Sequence, residues 1–173
     1  MEQSVTKIAE HNISRTRVSA HSLFLGLLIG LYNSFYPSID LTPDAAFFAW
    51  LAGAIVFVVF AHEAVHASVA KLLGFRPIFG LKLPLVYVTF KEKIPRGQFL
   101  LIVLGPLVIL NAVFGIFFVS GFLKVFSYSC LIINTLGAAG DLWVTSKIIA
   151  HHPGTLIQDT KTGLEVWRKA SHG

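Results

Sequence analysis

The chain has 173 residues, of which 54% are hydrophobic and 13% charged, where a soluble domain carries about 25% charged residues. This length suits one domain, and a single cysteine, Cys130, excludes an intrachain disulfide and a thiolate zinc cluster. The net charge of +5 does not point to nucleic acid, because the basic residues fall in short segments between apolar runs, the pattern that sets membrane topology.

In chain order, residues 1–18 are polar and basic. Arg15 and Arg17 precede an apolar run from Leu23 to Tyr32, as in a secretory signal, but no small-x-small cleavage site follows. The segment 20–36 therefore reads as a retained first span, near the lower length limit of about 17 residues. "PSIDLTPD", residues 37–44, is a turn-rich loop whose Asp44 can cap the next helix. That helix covers 45–73 and ends at Lys71 and Gly74. Residues 75–96 mix β-branched and aromatic residues with Pro77, Gly80 and Pro84, which predicts an extended or hairpin-like loop at the membrane surface. Residues 98–122 make a third span, kinked at Gly105-Pro106, and 125–149 a fourth.

The expected fold is thus an all-α membrane protein of about four transmembrane helices, with a short β-hairpin-like cytoplasmic loop between the second and third. Residues 1–155 form the polytopic domain and 156–173 a cytoplasmic tail. With the N-terminus inside, 13 of the 14 basic residues lie on the cytoplasmic side and only Lys124 lies outside. This bias predicts a multi-pass protein of the cell membrane with both termini cytoplasmic.

Within the second span, His62, Glu63 and His66 spell H-E-x-x-H. Residues four apart share a helix face, so two imidazoles can reach one zinc ion at about 2.0–2.1 Å. Glu63, beside the first imidazole, is placed to take a proton from a zinc-activated water. Buried histidines are often only structural, but ionisable side chains inside a span are functional by default. A catalytic site needs a third protein ligand. Asp141 is the only other acidic residue deep in an apolar run. At a rise of about 1.5 Å per residue, His62 and His66 lie about 14 and 8 Å from the inner end of their span, and Asp141 about 9 Å from the end of its own. The small residues Gly137 to Gly140 would let the two helices approach. His151, His152 and Asp159 are weaker candidates for the third ligand. Asn134, two turns before Asp141, is a candidate to hydrogen-bond a substrate carbonyl or to orient a ligand, and equally to make an interhelical hydrogen bond; Asn111 reads as structural.

With HEAVH in the second span, an extended inner loop, and N-x-x-G-x-x-G-D-L from Asn134 to Leu142, the chain resembles a family of small bacterial integral-membrane zincin peptidases distantly related to the site-2 proteases. The resemblance implies an intramembrane zinc metallopeptidase. His62, His66 and Asp141 would bind Zn2+, Glu63 would act as general base, and a membrane protein or peptide would be the substrate. The alternative is a membrane protein that binds metal without cleaving: a transporter, a sensor or an inactive scaffold.

Overall fold

The computed structural model describes residues 5–12, 22–23, 26–27, 30, 45–82, 85–160 and 163–169. Residues 45–72 contain no proline and one glycine, and they form an unbroken helix, α1 (Ala45–Leu72), about 42 Å long at 1.5 Å per residue. Gly74 stops it at φ 88°. The Phe75 N–H returns to the Ala70 carbonyl and the Gly74 N–H to that of Lys71, a glycine-terminated C-cap that satisfies otherwise orphaned carbonyls.

The chain then turns into an antiparallel hairpin, β2 (Ile78–Lys82) and β3 (Leu85–Thr89), in the register Ile78 opposite Thr89. Gly80 makes room for the ring of Tyr87 across the pair, since a Cβ there would stand 2.2 Å from it. Glu92 closes the hairpin base by accepting the Arg76 N–H at 3.1 Å. The short strand β4 (Ile94–Pro95) leads into α2 (Arg96–Val119). Two further helices, α3 (Lys124–Gly137) and α4 (Ala139–Ile149), meet at a 41° bend. The chain closes with β5 (Leu156–Thr160) and β6 (Gly163–Lys169).

The all-α expectation is overturned. Among the described residues there are four helices and six strands in two sheets. The expected hairpin is one sheet. The other has the order β1-β6-β5-β4, where β1 (Val5–Asn12) pairs antiparallel with β6. Residues 156–169 carry a period-two pattern that buries Ile157, Leu164 and Val166. Their partners lie about 60 and 160 residues away in sequence, at Ile94 and at Val5–Asn12, so short polar segments become strands only when the chain ends meet.

The expectation of four spans also narrows. Phe48–Leu72 and Arg96–Val119 are long and apolar enough to cross a membrane, and the bent α3–α4 pair makes a third if its arms act as one. The expected first span, 20–36, lies outside the described residues except for the helical positions 22, 23, 26, 27 and 30.

Two cores hold these parts. Ala54, Val58, Leu110, Phe114 and Cys130 pack between the helices. Ala70, Phe90, Ile94, Ile102, Ile148, Ile157 and Val166 join the helix ends to the sheet. Arg96 stitches the same junction, donating from Nε to the Ile148 carbonyl and from Nη2 to that of Ile149, both at 3.0 Å. The candidate site lies between the two cores.

Candidate metal centre

On α1, one turn separates His62 from His66, and their rings meet edge to face with centroids 4.8 Å apart. Gly105 on α2 faces Val65 and Val69 of α1, and a Cβ there would stand 3.1 Å from Val69 Cγ2. The missing side chain thus lets α2 come close to α1. Pro106 follows and has no N–H, so the carbonyl four residues earlier, Ile102, lacks its helical partner. His66 takes that place: its Nδ1 lies 2.8 Å from the Ile102 oxygen. A carbonyl only accepts, so Nδ1 carries the proton and Nε2 presents a lone pair.

The tautomer of His62 follows from a chain of polar groups on α3 and α2. Thr135 donates its hydroxyl to the Leu131 carbonyl and accepts from Asn111 Nδ2 at 2.8 Å. Asn111 Oδ1 then accepts from Asn134 Nδ2 at 2.8 Å, which also donates to the Pro106 carbonyl at 3.1 Å. Asn134 is fully buried with both amide hydrogens engaged, so its Oδ1 is what faces His62 Nδ1, at 2.9 Å. His62 therefore also protonates Nδ1, which leaves Nε2, hydrogen-bonded to Asp141 Oδ2 at 2.9 Å, as the nitrogen that could bind a metal on losing its proton. Asn134 thus makes interhelical hydrogen bonds to α2 and also faces His62 Nδ1, and both of its amide hydrogens are engaged.

Both Nε2 atoms converge on Asp141. Its Oδ2 lies 2.9 Å from His62 Nε2 and 3.6 Å from His66 Nε2. The helix break explains its position: Asp141 is in the first turn of α4, where the helix dipole favours a negative charge. Ala138 and Ala139 at the break are buried. Added Cβ atoms at Gly137 and Gly140 would meet nothing, so it is the two alanines that lie packed at the joint.

Two imidazole nitrogens and a carboxylate oxygen this close share a positive charge, supplied either by a proton on an imidazole, as the 2.9 Å His62–Asp141 hydrogen bond allows, or by a metal ion that replaces it. Donors held about 2.0–2.2 Å from one tetrahedral ion stand roughly 3.3–3.5 Å apart, and the separations of 2.9 and 3.6 Å bracket that spacing. The donor set thus fits a zinc ion. His62, Glu63 and His66 also form a possible metal-holding group, with donor atoms within 4.8 Å of one another. Asp141 comes closer to both imidazoles than that limit. Glu63 is engaged elsewhere: its Oε2 accepts the Val88 N–H of β3 at 2.8 Å.

The other sequence candidates go elsewhere. His151 Nε2 meets His11 Nε2 of β1 at 2.8 Å, His152 accepts the Gly154 N–H at 3.2 Å, and Asp159 accepts the Thr89 hydroxyl at 2.5 Å. Pro106 and the Val88 amide were missed as parts of the site. The sequence signal for Pro106 was its place four residues after a carbonyl facing the histidine helix; nothing in the sequence marked Val88.

A pair of histidines one turn apart, an adjacent glutamate and an aspartate from a second helix, all set among apolar helices, form a group that could hold a metal ion in a membrane-type helical frame. The comparisons agree at the level of family. Residues 55–156 match the family described as "Putative zincin peptidase", and the chain belongs to it. It is also 28% identical over 141 residues to an uncharacterized 24.7 kDa protein in the gap 5' region of Pyrococcus woesei, covering 78% of this chain and 63% of that relative. The chain therefore spans less than two-thirds of that relative's length. No solved structure matches.

Proposed function

We propose that the protein is an intramembrane zinc metallopeptidase that hydrolyses peptide bonds of membrane-associated substrates. The observation that carries this reading is that His62 Nε2 and His66 Nε2 both lie within 3.6 Å of Asp141 Oδ2, with each imidazole's Nδ1 engaged from behind. These three residues would hold the ion. When bound, zinc supplies a Lewis acid that polarises the scissile carbonyl and acidifies water. Glu63 accepts the proton of the attacking water on a carboxylate oxygen and then delivers it to the departing amide nitrogen. Asn134 and the Ile102 carbonyl keep the imidazoles oriented.

The strand β3 presents the substrate. The Val88 N–H points at Glu63, so it points away from β2, and the alternation of an antiparallel pair turns the outer edge of β3 toward the site. An extended peptide can add to that edge and lay its backbone across Glu63. The pairing of β1 with β6, and of β4 with β5, sets the two ends of the chain beside the loop between α1 and α2. With the basic-residue bias, this favours a cell-membrane protein with both termini cytoplasmic.

The test is Glu63→Gln in the purified full chain, assayed with a labelled membrane substrate and with and without a chelator. Zinc is expected to stay bound while cleavage falls on the order of 10²–10⁴-fold, the usual worth of a general base. Undiminished cleavage overturns the mechanism. Tight zinc binding with no cleavage by the wild type favours a transporter, sensor or inactive scaffold instead.

A further inference from the structure

We infer that Asp159, on strand β5 of the four-stranded sheet, is a positioning residue of the site: its carboxylate clamps β3 from behind and so sets where the Val88 amide meets Glu63. The inference rests on the peptidase reading above.

A two-stranded hairpin is marginal by itself, and among the described residues β3 pairs with β2 alone. Its position over Glu63 must be set by what grips its end. Asp159 does this at the last residue of the strand. The carboxylate accepts the Thr89 hydroxyl at 2.5 Å. Gln158, its neighbour, donates Nε2 to the Lys91 carbonyl at 3.3 Å. Consecutive residues of β5 thus hold Thr89 and Lys91, and Thr89 is the immediate neighbour of Val88.

The grip is fixed to a rigid base. β5 lies between β6 and β4, Ile157 is fully buried in the junction core, and the Arg96 N–H bonds the Thr155 carbonyl at 3.0 Å. Among the described residues no cation pairs with Asp159, and burial pushes its carboxyl above the usual carboxylate range. A buried carboxyl group that grips Thr89 fits a positioning task better than a surface one. A displacement of about 1 Å remote from the chemistry can cost on the order of 10²-fold in rate.

The test compares Asp159→Ala, Asp159→Asn, Thr89→Val and Thr89→Ser in the full chain. Amide exchange of residues 85–90 is expected to quicken at least tenfold in Asp159→Ala and Thr89→Val, with zinc content and exchange of α1 unchanged. Their kcat/KM is expected to fall at least tenfold, mostly through KM, because β3 is the peptide-binding edge. Asp159→Asn and Thr89→Ser, which keep an acceptor and a hydroxyl, are expected to recover most of this, and the double variant Asp159→Ala/Thr89→Val to add little. Unchanged exchange at 85–90, an unchanged KM, or an Asn variant no better than Ala overturns the clamp. If the wild type cleaves nothing, the peptidase reading fails, while the exchange result still decides whether Asp159 holds β3.

Discussion

The residues that orient the candidate site do so by removing alternatives. Pro106 contributes a missing N–H, which leaves the Ile102 carbonyl for His66 Nδ1 at 2.8 Å. Pro106→Ala would restore an N–H that competes for that oxygen. The α2 helix should be no less stable, since an interior proline costs about 3 kcal/mol. Zinc affinity should fall about 10–100-fold, the usual effect of losing an outer-sphere partner, as read in a competition titration. Asn134→Ala makes the contrasting case. It frees His62 Nδ1 and also strands Asn111 Oδ1 in a buried setting. Affinity should fall in the same range, and stability should drop by about 1–3 kcal/mol, measured by thermal unfolding. At this scale the H-E-x-x-H spacing was plain in the sequence, because a helix of 3.6 residues per turn dictates which side chains share a face. The partners of the imidazoles were not plain, because they lie 36 and 72 residues away and depend on how three helices pack.

At the scale of elements, close approach is governed by two glycines. Gly105 admits α1, and Gly163 admits β1: a Cβ at Gly163 would stand 1.9 Å from the His11 carbonyl oxygen. That neighbour is backbone and cannot swing aside. Gly163→Ala should therefore unpair β1 from β6, and limited proteolysis should then cut within residues 5–12 while the helices stay protected. Gly105→Leu should force α1 and α2 apart at an overpacking cost of about 1–3 kcal/mol and weaken zinc binding, checked by unfolding and metal content together. The apolar helices 45–72 and 96–119 could be read from composition, and the hairpin from its β-branched and aromatic residues. The break at Ala138 could not. Residues 125–149 read as one apolar run, yet the 41° bend is what places Asp141 in the first turn of a helix.

Over the whole molecule, the terminal strands make one sheet that braces the helix ends, and His11 and His151 meet across that junction. At 2.8 Å one imidazole donates and the other accepts, so both cannot be charged. Burial, then the nearby His151 and Lys147, hold His11 below its ordinary value of 6.5. Below that value the undocked strand binds a proton that the docked strand resists, so docking is fully favourable above pH 6.5 and weakens as pH falls toward the lower folded value. Hydrogen exchange of residues 5–12 should quicken on acidification, and His11→Phe should remove that pH dependence.

The sequence alone determined the membrane-type helices and the H-E-x-x-H pair on one helix face, because apolar run length and helical periodicity are local properties of the chain. Tertiary structure decided that the ends of the chain form a sheet, that Asp141 faces the two imidazoles, and that a strand amide meets Glu63. Each of these joins residues far apart in sequence, and their placement follows from packing, which no local pattern encodes.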